Sequence, residues 1–249
     1  MDWEKVAERI CTFITERCKD KNAVVGMSGG IDSTMVAVLT RMALGKERVR
    51  GLIMPNGGLG DDPNSKDALE LADMIEIDKD IINIHEFVDN FTFAIGMADK
   101  VVVGNAMARI RMMLLYAHAN AWNGLVVGTT NKSEYWTGYY TKYGDGGVDI
   151  EPIVDIYKTD LREFARYIGV DEKIITKPPT AGLWEGQTDE EELGISYNEL
   201  DEVLKWLHDG DMSGNEERIK RNLAKVNQLM ENSTHKRDTP YGCYLKDIK

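Results

Sequence analysis

Cysteine is scarce and positive charge is in deficit, and each shortage removes a class of function. The chain holds three cysteines, Cys11, Cys18 and Cys243, odd in number and without CxxC spacing. That pattern suggests neither a disulfide framework nor a thiolate zinc site, and it fits a reducing, cytoplasmic setting. Cys11 and Cys18 lie two helical turns apart and read as packing residues. Lysine and arginine number 30 against 42 aspartates and glutamates, a formal net charge of -12. Most of such a surface repels nucleic acid and anionic membranes, so any phosphate-bearing ligand must meet local positive groups. No apolar run reaches membrane-spanning length. The opening "MDWEKVAERICTFITERCKD" mixes charge with apolar residues at helical spacing and is not read as a leader.

Repeats, low-complexity tracts and interdomain linkers are also missing, so residues 1–249 are expected to form one domain. Helical periodicity covers 2–18, with Val6, Ile10, Phe13 and Ile14 on one face, then 34–44, 65–75, 105–122, 155–169, 197–208 and 215–231. Short apolar runs at 23–27, 48–54, 80–85 and 125–129 read as strands between the earlier helices. This alternation predicts an α/β fold: a doubly wound, mostly parallel, Rossmann-like sheet flanked by helices on both faces. Ligands of such sheets sit beyond the carboxyl ends of the strands, where the strand order reverses.

The helix at 105–122 carries Met107, Ile110, Met112, Met113, Leu114, Leu115, Tyr116 and Trp122. A helix apolar nearly all round needs cover on several sides. A sheet supplies one side, so a partner subunit is expected to supply another; deep burial within one chain is the alternative. Residues 177–194, "KPPTAGLWEGQTDEEELG", read as a functional loop, and 233–249 as an irregular, basic tail.

The stretch "VVGMSGGIDSTM" (24–35) runs from a strand into a glycine pair and then into a helix. Amides at such a turn point outward together, and the helix N-terminus favours an anion. Ser28, Ser33 and Thr34 add hydroxyl donors. The lysine of the common phosphate loop is absent. Asp32 repels phosphate unless a cation intervenes, so it reads as a magnesium ligand; the plainer alternative is a helix cap.

Ser-Gly-Gly-x-Asp-Ser after a strand resembles the pyrophosphate loop of the adenine-nucleotide α-hydrolase-like fold, whose members cleave ATP between its α and β phosphates. The longer strings "GNAMARIRMMLLY", "GTTNKSEYWTGYYTKYGDGGVDIEPIVDIYKTDL" and "KPPTAGLWEGQTDEEELGISYNELD", with "HKR", resemble the ammonia-dependent NAD synthetases. The resemblance implies adenylation of the nicotinate carboxylate of deamido-NAD by ATP with Mg2+, followed by displacement of AMP by ammonia.

The resemblance also assigns roles. Gly26, Met27, Ser28, Gly29, Gly30, Ile31, Asp32 and Ser33 are expected to hold ATP phosphates, with Thr129, Lys158 and Thr180 as further ATP contacts. Asp32 and Glu134 are the expected metal ligands. Lys158 is expected to offset charge on the α phosphate, and Asp145 to accept a proton from ammonium. Arg109, Lys142, Asp149, His235 and Lys236 match deamido-NAD contacts, Arg109 and Asp149 acting across a homodimer. The 177–194 loop is expected to close as a lid. Residues 55–67, where relatives meet adenine, match poorly, and no residue is assigned there. Without the resemblance, Glu134 reads as a solvated acid, Lys158 as a solvated helix start and His235 to Arg237 as a solvated tail.

The nitrilase-like domain of glutamine-using relatives has no counterpart in the sequence, which points to ammonia and leaves open a separate ammonia-supplying subunit. Two other readings stand beside this one: another pyrophosphate-loop ligase or tRNA-modifying enzyme, and a nucleotide-binding module without catalysis.

Overall fold

The computed structural model describes residues 1–58, 63–96, 99–184 and 186–243. The first half runs α1 (Trp3–Cys18), β1 (Asn22–Gly26), α2 (Ile31–Leu44), β2 (Val49–Ile53), α3 (Pro63–Met74), β3 (Asp78–Ile81), α4 (His85–Ile95), α5 (Lys100–Ala121) and β4 (Gly124–Val127). The second half is helical: α6 (Lys132–Thr137), α7 (Lys158–Ile168), α8 (Glu172–Ile175), α9 (Asp189–Leu193), α10 (Tyr197–Asp209), α11 (Glu216–Asn232) and α12 (Thr234–Arg237).

The strands are parallel and lie in the order β3-β2-β1-β4. From β1 the chain winds outward through β2 to β3, then returns to add β4 on the other side. The order therefore reverses between β1 and β4, and the loops after these two strands diverge to leave a crevice. On one face Val25, Met35, Leu39, Ile53 and Phe164 join α1, α2 and α7 in a common core. On the other, Val24, Leu52 and Val126 meet Met107 and Ile110 of α5. Alternate residues of β1 thus point to opposite cores, as a strand buried on both faces requires. A third cluster, built on Tyr157, Tyr197, Leu200, Val203, Leu204 and Val226, joins α10 and α11 to the sheet domain.

Helix ends obey local chemistry. The Asp99 carboxylate caps α5 by accepting from Val101 N and Val102 N at 2.9 and 3.1 Å. Asn131 and Glu134 form a reciprocal capping box at the start of α6.

Three expectations are corrected. The segment 177–194 contains α9 as well as loop, and part of the basic tail forms α12, while 244–249, like 59–62 of the unassigned 55–67 stretch, lie outside the described residues. The sequence pattern also misses α4. The long apolar helix starts at Lys100 and is not covered all round, with Val101 51% and Met113 57% exposed. Deep burial within one chain is therefore not how its apolar surface is accommodated.

Candidate active site

The β1–α2 turn folds onto itself. Ser33 Oγ accepts from Ser28 N at 3.2 Å, lies 3.0 Å from Ser28 Oγ and donates to the Gly30 carbonyl at 3.2 Å. Gly29 has φ +77°, and a Cβ there would lie 2.0 Å from the Asn64 carbonyl oxygen at the start of α3. Only glycine fits both the left-handed conformation and that approach. Lys177, just before the loop that follows α8, locks the contact: its ammonium meets Asn64 Oδ1 at 2.8 Å, Asp67 Oδ2 at 2.5 Å and the Gly29 carbonyl at 3.4 Å. The Met27 side chain packs over Gly51 and Ile31 is buried, so these two can offer a ligand only backbone. Thr34 is fully buried, which removes its hydroxyl from the donors expected at the turn.

Asp32 is not the cap of α2. Gly30 occupies that position with no side-chain bond, and Asp32 lies in the first helical turn. Its Oδ2 is 2.5 Å from Lys158 Nζ, and its Oδ1 accepts from Asn131 Nδ2 at 2.8 Å. Glu134 Oε1 is 3.3 Å from the same Lys158 nitrogen. Three side chains from α2, α6 and α7 therefore converge in the crevice beyond β1 and β4. Lys158 and Glu134 are well withdrawn from solvent, with side chains 3% and 15% exposed, so neither is the solvated surface group that spacing alone suggests.

Burial, then the nearby Asp32 charge, pushes the Glu134 carboxyl up to about 8. Burial alone would lower the Lys158 pKa, but Asp32 and Glu134 outweigh it and raise it. Two carboxylates on one cationic point are also a fitting donor set for Mg2+, which takes one or two carboxylates with phosphate and water oxygens. Among the described residues no cluster of three or more metal-ligating side chains occurs.

Thr129 lies two residues beyond the end of β4. Thr180 is exposed in the loop after α8, where its Oγ1 accepts from Gly182 N at 3.1 Å. That loop rests on α5: a Cβ at Gly104 would lie 3.0 Å from Leu183, and Lys100 lies over the Trp184 ring at 4.9 Å. Gln187 braces it by accepting from Leu183 N and donating to Glu192, each at 2.8 Å.

A second group gathers the expected dinucleotide contacts. Arg109 donates to the Lys142 carbonyl at 3.3 Å, Lys142 donates to the His235 carbonyl, and Lys236 donates to the Gly138 and Tyr140 carbonyls at 2.6 Å. Asp145 Oδ1 accepts from Thr141 N at 2.9 Å, within the field of Lys236. The surrounding protein raises the Asp145 carboxyl by desolvation. Glycines 144, 146 and 147 let this turn press on Ala108, Tyr140 and Met112. Asp149 stands apart, its carboxylate accepting from Val126 N at 2.8 Å and Tyr116 Oη at 3.3 Å on the outer strand β4.

The NAD synthase family profile matches residues 6–240. The chain belongs to the NAD synthase family. An ammonia-dependent NAD synthetase of Archaeoglobus fulgidus is 46% identical over 251 residues, covering all of both chains. Two solved structures are each 34% identical: an NMN synthetase of Francisella tularensis, with TM-score 0.85 over 98% of this chain and 99% of that one, and an ammonia-dependent NAD synthetase of Campylobacter jejuni bound to nitrate, with TM-score 0.83 over 98% and 100%. This NAD synthase fold therefore has the adenine-nucleotide α-hydrolase-like architecture that the loop motif implies.

Asn131, Asn64, Asp67, Lys177 and Glu151 go unnoticed in the sequence. For Asn131 a signal exists, since Asn-x-x-Glu is a capping box whose cap side chain here also reaches Asp32. Glu151 accepts from Thr130 N at 3.1 Å and runs beneath Gly128, where a Cβ would lie 2.4 Å from its carboxylate. Burial pushes Glu151 up to about 8.

Between the ordinary glutamate pKa and about 8 the folded chain holds the Glu151 proton that the unfolded chain releases. Stability from this group therefore falls as pH rises through that window. Denaturant titrations from pH 5 to 9 should show a shallower decline for Glu151→Gln than for wild type. Gly29→Ala should weaken ATP binding at least tenfold by calorimetry, because left-handed strain of about 1–2 kcal/mol adds to the clash with Asn64.

Proposed function

We propose that this chain amidates deamido-NAD to NAD with ammonia, cleaving ATP to AMP and pyrophosphate. The observation that carries the reading is the convergence of Asp32, Glu134 and Lys158 at the phosphate turn, in a chain 46% identical along its whole length to a named ammonia-dependent NAD synthetase.

The turn from Gly26 to Ser33 binds the ATP phosphates, with Thr129 and Thr180 on either side. Asp32 and Glu134 would hold Mg2+, which neutralises charge on the departing pyrophosphate. Lys158 sits at the same point and offsets charge that builds on the α phosphate as the nicotinate carboxylate attacks it. Lys142, His235 and Lys236 orient deamido-NAD, and Arg109 and Asp149 reach it across the dimer. Asp145, whose carboxyl is raised by burial, accepts a proton from ammonium; the ammonia so freed attacks the activated carbonyl, and AMP leaves as the nitrogen gives up its surplus proton. The 177–194 loop shields the adenylate from water, which would otherwise return nicotinate.

A homodimer is supported by the bare apolar side chains on α4 and α5: Phe87 49%, Phe93 91%, Val101 51% and Met113 57% exposed. A reducing, cytoplasmic setting is supported by three free cysteines.

Incubating the protein with Mg-ATP, deamido-NAD and ammonium should yield NAD, AMP and pyrophosphate in equal amounts. ADP in place of AMP would refute the reading, and preference for nicotinate mononucleotide would move it toward NMN synthesis. Glutamine should replace ammonium poorly. Asp32→Ala should abolish pyrophosphate release while leaving the circular dichroism spectrum intact. Sedimentation at micromolar concentration should give a dimer for wild type and a larger monomer fraction for Phe93→Asp.

A further inference from the structure

Glu134 and Lys158 stand at the starts of α6 and α7, and a buried carboxylate on α10 joins those two helix starts. Asp201 is 1% exposed. Its Oδ1 accepts the Ser133 hydroxyl proton at 2.5 Å, and its Oδ2 accepts Thr159 N–H at 2.9 Å. Ser133 Oγ in turn accepts Lys158 N–H at 3.0 Å. One chain of hydrogen bonds therefore runs from the Lys158 amide through Ser133, the residue before Glu134, and Asp201 to the amide of Thr159, the residue after Lys158. The α7 helix has no side-chain bond from its own cap, Tyr157. Asp201 does that work from another helix, accepting a first-turn amide and placing negative charge at the positive end of the helix dipole.

The packing of α10 does not depend on this carboxylate. Leu200, Val203 and Leu204 are fully buried in the third core and anchor the helix without it. What Asp201 adds is register. Charge-assisted bonds to a buried acceptor are short and directional, and these act where a small slip of α7 would carry the Lys158 ammonium away from Asp32 and Glu134.

We propose that Asp201, acting through Ser133, is a positioning residue that holds Glu134 and Lys158 in register for ATP cleavage. This rests on the catalytic reading of those two groups given above.

The test uses the full chain: wild type, Asp201→Asn, Ser133→Ala, the double variant and Lys158→Met, with kcat, KM for deamido-NAD and thermal unfolding measured for each. Misplacement on the ångström scale should lower kcat about 10- to 100-fold in each single variant. The KM for deamido-NAD should stay within about twofold, because that substrate is held elsewhere. The double variant should be no slower than the worse single, as residues in one relay are not additive. Unchanged kcat in Ser133→Ala, additive losses in the double, or a kcat loss no larger than the unfolded fraction would each overturn the proposal. Should Asp201→Asn fail to fold, Ser133→Ala alone carries the kcat and KM comparison. Lys158→Met with wild-type kcat would instead overturn the catalytic reading beneath it, and is thereby distinguished from failure of the relay.

Discussion

A lysine ammonium held between two carboxylates is the arrangement around which the molecule is organised. Lys158 faces Asp32 Oδ2 at 2.5 Å and Glu134 Oε1 at 3.3 Å in a setting that solvent scarcely reaches. Three charges withdrawn from water offset one another's burial, and removing one leaves the others less well compensated. The arrangement needs α2 and α6 to begin side by side, and the sheet provides this. Both helices follow the carboxyl ends of adjacent strands, β1 and β4, at the position where the strand order reverses. That crevice therefore brings the N-terminal turns of α2 and α6, an ammonium and two carboxylates together, which is the arrangement the proposed phosphate site uses.

Elsewhere an acidic chain uses clustered cations to order its backbone. Arg237 donates to the Trp136 carbonyl at 2.8 Å and to the Tyr135 carbonyl at 3.2 Å, near the negative end of α6. Lys236 holds the Gly138 and Tyr140 carbonyls. The residues proposed to meet the dinucleotide thus also shape the backbone of the turn beside them.

The periodic helices and buried strands were legible because burial on one or both faces imposes period 3.6 or a continuous apolar run. The α4 helix was not, because only Val88 among its residues is buried, so its apolar side chains carry no core-facing stripe. The α9 helix was not, because four successive acids read as solvated loop, whereas at a helix N-terminus they complement the dipole. In the site, the phosphate turn and the two proposed metal ligands were readable from motif and resemblance. The roles of Asn131, Lys177 and Asp201 were not, since each acts on residues 42 or more positions away, the shortest of these links running from Asp201 to Thr159.

By itself the sequence determined the α/β alternation, the phosphate turn and the family, because glycine conformation, helix dipoles and hydrophobic periodicity act over a few residues. Only the tertiary structure decided that Asp32 and Glu134 share one ammonium, that Gly29 lies against Asn64, that Asp149 stands apart from the basic group, and that α5 keeps a bare apolar side. Those outcomes depend on which distant segments the strand order brings together, and charge pairing and close packing read distance in space rather than separation along the chain.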